Sequence, residues 1–512
     1  MKDSNVINIV NFIRACEPRL PMDLFQPVKD EMEMAKEWNL PVTWLIQYDA
    51  LVEGPFVEYL KQEMPANHEI GIWFEVVQAN AEAVGVKWCG RYPWDWHVHC
   101  GFSVGYTPEQ RERIADVFLE KFKSVFGFYP ASMGSWFFDA RLLAYLHKKY
   151  GIRAACNCKD QYGTDGYTLW GGYWANAYYP SIVNAYMPAQ SQEMQIDVPV
   201  FRMLGSDPLD QYDDNAGTGK TQSVCTLEPV YEPAGGNPAW VDWFFGETFR
   251  DPHFALAYAQ AGQENSFGSK RITAPLRMQC AKIAALRETG KVRVETLCET
   301  ADRFREEHKT TPVTACITLQ DFKGRNRSGI WYLSKYQRMN FFVDAEGHLR
   351  IRDWHVFDEK AEETFLNDVC RSECCYYFTP AIVDGFLWHP CGLRLSGKTG
   401  KLENVRQTGE ESLAFNFAGI SFECTPDGFS VLYPDDTDNM AFSCDWESVK
   451  KSGTVIAVNG NTLNCSNEKS EWLLSVENGS VRTDGDRILF YPEKRRIEFK
   501  IHVNSGNGGT PL

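Results

Sequence analysis

The first 160 residues alternate between short apolar, β-branched runs and longer segments whose apolar residues recur at helical spacing. The strand-like runs cover residues 6–14, 41–47, 68–76, 131–137 and 152–156. The helical segments cover residues 23–38, 55–64, 107–126 and 139–150. Repeated strand–helix–strand units predict parallel strands joined by right-handed crossovers.

The helix over 107–126 has the clearest start and stop signals. Thr107 and Gln110 have the spacing of a capping box, and Pro108 occupies the first helical position. Gly127 follows the last apolar residue and predicts the end of the helix.

Residues 157–250 lack a clear period. They are rich in Gly, Pro, Asp and Tyr and contain one good strand candidate, 197–204. The aromatic content argues against disorder. We therefore predict that this segment forms long loops over the mouth of a β/α barrel built from the parallel strands. A further strand over 253–260 and helices over 269–289 and 294–308 complete the α/β pattern.

Beyond residue 312 the chain changes to short strands separated by Gly, Asn and Asp turns. These strands cover residues 314–319, 329–333, 339–343, 349–354, 414–423, 429–433, 455–458, 472–476, 487–491 and 496–503. This spacing predicts an antiparallel, sandwich-like domain. The sequence therefore predicts an α/β protein with a β/α barrel over 1–310 and a β-rich C-terminal domain over 311–512.

Composition narrows the possible functions. Aromatic residues make up 14% of the 512 residues, and Tyr and Trp offer both an apolar face and a polar handle, as sugar recognition requires. The net charge of −16 argues against a nucleic-acid partner, and no apolar run reaches the ~20 residues of a membrane span. Residues 1–10 lack the pattern of a signal peptide, so a cytoplasmic location is expected, although a trimmed secreted form would begin in the same way. The 16 scattered cysteines fit buried, reduced thiols.

Four segments carry a family resemblance. They are VINIVNFIRACEPR, NLPVTWLIQYDAL, NHEIGIWFEV and the stretch from Thr107 to Ile152. Their order resembles that of the polysaccharide deacetylase and family-57-type glycoside hydrolase superfamily. The resemblance implies an incomplete (β/α)7 barrel.

The chain departs from the deacetylase pattern at the metal site. The resemblance implies an acid on the first strand and two histidines just after the segment that begins at His68. The acid falls near Glu17, but the histidine positions fall on Trp73 and Val77. Two of the three metal ligands are therefore missing, which favours the glycosidase branch.

Candidate catalytic residues follow from the rule that active sites lie at the C-terminal ends of parallel strands. Glycoside hydrolysis needs two carboxylates on either side of the bond. Glu75 and Glu264 are the preferred pair, and Glu17 is the third candidate. Strand-end acids also include Asp165 and Asp210.

Aromatic and polar residues near the same strand ends predict a substrate-binding surface. The unusual segment Trp94–His99 contributes most of them. His97 and His99 are weak metal candidates, because on an extended strand they would face the same side. The predicted substrate-binding residues are Trp73, Asp95, Trp96, His97, His99, Trp136, Asp139, Asp160, Tyr162 and Asp207.

The sequence thus predicts a carbohydrate-active enzyme, leaning to a glycoside hydrolase that uses paired carboxylates and no cofactor. Two alternatives stay open: a non-catalytic carbohydrate-binding protein, and a divergent metal-dependent carbohydrate deacetylase that uses His97 and His99. The expected partner is a carbohydrate, with neither nucleic acid nor membrane. The sequence does not determine the sugar, the linkage or the oligomeric state.

Overall fold

The structure is a computed structural model that describes residues 4–436, 439–445, 449 and 454–503. The strands of its N-terminal part are β1 (Asn5–Ile13), β2 (Thr43–Ile46), β3 (Glu69–Trp73), β4 (Ser132–Gly134), β5 (Ala154–Asn157), β6 (Gln161–Thr164), β7 (Tyr167–Trp170), β8 (Ala177–Tyr178), β9 (Pro180–Ser181), β10 (Asn184–Pro188), β11 (Val200–Arg202), β12 (Ala257–Ala261) and β13 (Arg293–Glu295).

The helices of this part surround the sheet. They are α1 (Phe25–Glu37), α2 (Tyr48–Val52), α3 (Phe56–Glu63), α4 (Gln78–Ala83), α5 (Val98–Gly101), α6 (Pro108–Phe126), α7 (Ala140–Tyr150), α8 (Asp210–Asp213), α9 (Pro238–Thr248), α10 (Ser269–Glu288) and α11 (Leu297–Glu307), with short 3₁₀ turns at Ser103–Gly105 and Asn265–Phe267.

Seven parallel strands form a curled, open barrel in the order β12-β1-β2-β3-β4-β5-β11. β13 pairs in parallel with the start of β1, and β8 adds an antiparallel strand beside β11. Within the described residues no strand pairing joins β11 to β12, so the barrel stays incomplete. The predicted (β/α)7-type fold is confirmed, and each predicted barrel strand overlaps an observed one.

The predicted capping box at α6 is present. The Gln110 N–H donates to the Thr107 hydroxyl at 3.3 Å, and the Thr107 N–H donates to the Gln110 side chain at 3.0 Å. Gly127 ends the helix with φ 87°, a left-handed conformation that glycine adopts without strain. The apolar stripe of α6, which includes Ile114 and Phe118, is fully buried against the sheet.

The segment 157–250 is more regular than the predicted loops. It contains β6 to β11 and two helices, and β7 pairs in parallel with a strand of the C-terminal part. Helix α9 gave no periodic signal because it is apolar on most sides and packs against α10, β12 and β14.

The strands of the C-terminal part are β14 (Thr314–Thr318), β15 (Ser328–Leu333), β16 (Gln337–Val343), β17 (His348–Val356), β18 (Cys375–Phe378), β19 (Ala381–Asp384), β20 (Leu393–Thr399), β21 (Leu402–Gln407), β22 (Leu413–Phe417), β23 (Ile420–Thr425), β24 (Gly428–Leu432), β25 (Phe442–Asp445), β26 (Val455–Asn459), β27 (Thr462–Ser466), β28 (Glu471–Glu477), β29 (Gly479–Asp484), β30 (Arg487–Pro492) and β31 (Arg496–Val503).

Most of these strands form two antiparallel sheets. One has the order β14-β15-β16-β17-β20-β25-β30-β29, with β19 beside β17. The other has the order β21-β22-β23-β24-β31-β28-β27-β26. Phe341 on the first sheet packs edge-on against Phe415 and Phe429 on the second, as in a sandwich. The β-rich C-terminal part is confirmed; its predicted limits, 311–512, stay a prediction, and residues 504–512 lie outside the described part.

The barrel loops and the sandwich share a buried contact. Trp174 stacks on Trp331 with ring centroids 4.0 Å apart. Next to them, the Asp160 carboxylate forms ion pairs with both Arg202 and Arg338. Arg338 also forms an ion pair with Asp353 at 2.8 Å. These four charged side chains are almost fully buried, so each depends on its partners.

We expect Asp160→Asn to destabilise the fold strongly. The substitution leaves the buried Arg202 guanidinium without its carboxylate, which typically costs about 3 kcal/mol or more. Urea denaturation followed by Trp fluorescence would measure this loss.

Asp302→Asn is the matched control. It removes a carboxylate from an arginine in the same way, but the Arg153–Asp302 pair is more than 40% exposed on both sides. We expect a loss below about 1 kcal/mol. Equal losses in the two variants would contradict the structural role of Asp160.

Candidate functional site

A cavity of ≈ 830 Å³ opens at the C-terminal end of the barrel strands. Arg14 follows β1 directly, Glu75 lies two residues beyond β3, and Trp136 lies two residues beyond β4. Lys159 and Glu264 enter the cavity after β5 and β12. The cavity therefore lies where the strand-end rule predicts a site, and its volume falls within the usual range of ligand pockets.

Arg14 is the central cation of the cavity floor. Its side chain is 1% exposed, and its Nη2 lies 2.9 Å from Glu264 Oε2 and 3.5 Å from Glu75 Oε2. The two Oε2 atoms therefore lie no more than about 6.4 Å apart, the sum of these distances. Asn265 fixes the backbone here, because it accepts from the Arg14 N–H and donates to the Arg14 carbonyl.

Glu75 is held from a second side by an indole. The Trp94 Nε1–H donates to Glu75 Oε2 at 2.7 Å, and the Arg14 guanidinium lies 4.0 Å from the Trp94 ring centroid. Burial raises the pKa of Glu75 above its usual value, against the opposing effects of Arg14 and the Trp94 N–H.

Glu264 lies closer to the guanidinium. Burial also raises its pKa; Arg14 acts in the opposite direction, and the nearby Glu75 carboxylate adds to the rise. Two acids that share one cation in a buried site cannot both ionise without cost. The cavity floor therefore favours a state in which these two carboxyl groups differ in protonation.

Glu17 also lines the cavity but has its own partner. Its carboxylate accepts from the Arg19 N–H at 2.9 Å and from the Arg19 Nε–H at 2.7 Å. Although burial opposes ionisation, these bonds lower the pKa of Glu17. Glu17 is therefore an ionised partner of Arg19 and a poor proton donor.

Aromatic rings form one wall of the cavity. Trp94, Trp96 and Trp136 line it, and Arg19 lies 5.1 Å from the Trp94 ring centroid and 5.0 Å from that of Trp96. Trp73 lies behind this wall, fully buried and stacked on Phe12 at 3.8 Å. Such a wall presents flat apolar faces of the kind that sugar rings pack against.

Another part of the cavity lining is polar and forms a polar wall. It includes Lys159, Thr164, Asp165, Glu228 and Tyr231. Burial raises the pKa of Glu228 to about 7, with Lys159 lowering it and the Glu264 carboxylate raising it. Glu228 is therefore within electrostatic reach of both Lys159 and Glu264.

The predicted substrate-binding residues divide into two groups. Trp96 and Trp136 line the cavity, whereas the others do not. Asp95 is buried and pairs with Arg91; burial opposes its ionisation, but the Arg91 hydrogen bonds hold its pKa at about 2. Its role here is to fix the loop that carries Trp94 and Trp96.

His97 and His99 lie outside the cavity. The Nδ1 atom of His97 is 3.7 Å from Glu373 and 3.9 Å from Asp95. In the described part of the chain, one group of three potential ligands is close enough to share a cation. It consists of Asp344, Glu346 and His348 on the turn between β16 and β17, and it does not include His97 or His99.

The remaining predicted residues have structural partners. Asp139 caps α7 through the Leu142 N–H at 2.9 Å. Asp160 belongs to the buried network described above, and the Tyr162 ring packs against Phe386 at 5.6 Å. Asp207 accepts from the Trp240 Nε1–H at 3.1 Å.

Sequence reasoning did not single out Arg14 or Lys159 as site residues, nor Glu228. Both Arg14 and Lys159 follow barrel strands, so their positions at strand ends are the signal that identifies them. Glu228 carries no such signal, because it lies in the long segment after β11, between irregular turns.

No protein-family profile matches this chain, and no curated protein matches it in sequence. Solved structures match it in fold. A candidate glycoside hydrolase/deacetylase from Parabacteroides distasonis is 17% identical, with a TM-score of 0.56 over 74% of this chain and 90% of that one. A candidate polysaccharide deacetylase from Mycobacterium smegmatis is 14% identical, with a TM-score of 0.36 over 60% of this chain and 91% of that one. A family-57 branching enzyme from Thermococcus kodakaraensis is 9% identical, with a TM-score of 0.32 over 60% of this chain and 71% of that one. The first likeness confirms the predicted fold.

In the described residues, no helix is both long and apolar enough to span a membrane.

We expect Glu228→Gln to flatten the pH dependence of stability. The folded protein keeps the Glu228 proton up to about pH 7, whereas the ordinary value is 4.5. The stability contributed by this proton is present below pH 4.5 and is lost as the pH rises through about 7. The variant should therefore gain about 3 kcal/mol over the wild type between pH 4.5 and pH 8.

Urea titrations at several pH values would measure this difference. Glu232→Gln is the control, because Glu232 is exposed in the same segment and should follow the wild type. A Glu228→Gln variant with the wild-type pH profile would mean that Glu228 is ionised in the folded state.

Proposed function

We propose that this protein is a carbohydrate-active enzyme that cleaves or remodels glycosidic bonds in the barrel cavity, with Glu75 and Glu264 as its paired carboxylates. One observation carries the proposal: both carboxylates contact the same Arg14 nitrogen on the floor of an aromatic-walled cavity.

The carboxylate separation favours a retaining reaction. Retaining glycosidases hold their carboxyl groups about 5 Å apart, whereas inverting enzymes need about 6.5–9.5 Å to admit a water molecule. The upper limit of about 6.4 Å between Glu75 Oε2 and Glu264 Oε2 falls below the inverting range. In a retaining reaction, one carboxylate attacks the anomeric carbon and the other protonates the leaving oxygen.

The surroundings divide these roles. Glu264 is the closer of the two to Arg14, so its ionised form is the better stabilised, and we assign it as the nucleophile. Glu75 lies farther from the cation and accepts from Trp94 through Oε2, which leaves Oε1 to carry a proton. We therefore assign Glu75 as the general acid.

The chemistry of the residues does not favour the deacetylase alternative. The positions of the two family histidines are taken by Trp73 and Val77, which are buried apolar side chains and cannot bind a metal through nitrogen. His97 and His99 do not line the cavity, so they are poorly placed to replace them. The Parabacteroides distasonis neighbour, which is named for both activities, fits a carbohydrate substrate for this fold.

The assignment of Glu264 is tested with Glu264→Ala on a panel of aryl glycosides. We expect turnover to fall at least about 10³-fold, because the covalent step is lost. Added azide should restore part of the activity by attacking the anomeric carbon, and NMR of the glycosyl azide should show inverted configuration.

The assignment of Glu75 is tested by changing the leaving group. In Glu75→Ala, dinitrophenyl glycosides need no protonation and should react much like the wild type. Substrates with poor leaving groups should lose about 10²–10⁴-fold, the usual worth of a general acid. Glu53→Gln, an exposed change near the end of β2, should leave all rates unchanged.

Two results would contradict the proposal. Equal losses on all leaving groups in Glu75→Ala would exclude it as the general acid. Sugar binding by the wild type without turnover of any glycoside on the panel would favour a non-catalytic binding protein.

A further inference from the structure

The cavity contains a buried lysine without a partner. Lys159 is 2% exposed and lines the polar wall, yet its ammonium makes no hydrogen bond and no ion pair within 4.0 Å in the described chain. Comparably buried arginines all have a carboxylate within that distance. They are Arg14, Arg111, Arg202, Arg338 and Arg352.

An unpaired buried ammonium is costly unless something else compensates it. The nearest acids do not, because Glu228 and Asp165 influence Lys159 only from beyond ion-pair distance. The buried Thr164 hydroxyl, on the same wall, also lacks a hydrogen-bond partner. This wall therefore offers one cation and one hydroxyl to a ligand that carries a negative charge and an acceptor oxygen.

We propose that Lys159 binds the carboxylate of an acidic sugar, so that the substrates of this cavity contain uronic acid residues. That the ligand is a sugar rests on the proposed function. That the ligand carries a negative charge is inferred from Lys159 itself. Glu228 and Asp165 on the same wall disfavour a doubly charged phosphate, whereas a single carboxylate is matched by a single ammonium.

The position of Lys159 relates the bound carboxylate to the reaction. Lys159, Glu228 and Glu264 line the same cavity, and the charges of Lys159 and Glu264 both act on Glu228. A uronic acid on Lys159 would therefore occupy the polar wall beside the catalytic floor.

The test uses binding to a catalytically inactive protein, so that it does not depend on turnover. In Glu75→Gln, which lacks the proposed general acid but keeps the Arg14–Glu264 ion pair at 2.9 Å, we expect NMR titration to show methyl glucuronide or galacturonide binding about tenfold or more tighter than methyl glucoside or galactoside, as one charged contact allows. Lys159→Met in this background should abolish the preference, and Lys159→Arg should retain part of it.

Lys270→Met is the matched control. It removes the same charge from the exposed rim of the same cavity and should change the preference less than about twofold, because exposed charges are screened. Lys159→Met should fold at least as stably as the wild type, because it removes an uncompensated buried charge. A urea midpoint at or above that of the wild type would check this point.

The outcomes separate the two proposals. The inference would be overturned if the uronide preference survived Lys159→Met. It would also be overturned if the background variant that retains Lys159 showed no uronide preference. Tight binding of galactose 6-sulfate without binding of uronides would overturn the carboxylate assignment. Hydrolysis of neutral glycosides through Glu75 and Glu264 without uronide binding would leave the proposed function intact, whereas Lys159-dependent uronide binding without any hydrolysis would leave only the inference.

Discussion

The architecture of the site depends on one buried guanidinium. Arg14 directly follows the first strand of an apolar barrel, where the free-energy cost of burying an unpaired charge would be prohibitive. Its presence requires Glu264 and Glu75 beside it, and they in turn would lose their ionised forms without it. Because these residues follow β1, β12 and β3, the ion cluster connects the C-terminal ends of three barrel strands.

A second buried cluster supports the cavity from behind. Asp160 follows Lys159 directly in sequence, and its pairs with Arg202 and Arg338 connect the end of β5 to β11 and to the sandwich. The backbone that presents Lys159 to the cavity is thus fixed on its far side by the C-terminal part of the molecule. This connection gives the β-rich part a role in shaping the polar wall without contributing a side chain to it.

The sequence was sufficient for elements with a strong period and for carboxylates at strand ends. The seven barrel strands and the cap of α6 follow local rules, and Glu75 and Glu264 needed only the barrel topology. Helix α9 and the small strands of 157–250 were missed, because their burial comes from packing between the two parts of the molecule. Asp160 shows the same limit: its position at a strand end suggests a ligand contact, but its partners lie up to 178 residues away and bury it completely.

The cavity therefore contains two kinds of buried charge. On its floor, Arg14 and the carboxyl groups of Glu75 and Glu264 stabilise one another, so this cluster does not need a ligand to compensate its charge. On its polar wall, Lys159 has no such partner, and the free energy of its burial is recovered only when an anion arrives. A site that binds through an uncompensated charge sacrifices stability in the empty state for selectivity in the bound state, since a neutral ligand leaves the cost in place. Under the two proposals, Arg14 after β1 supports the catalytic acids, whereas Lys159 after β5 recognises the charge of the substrate.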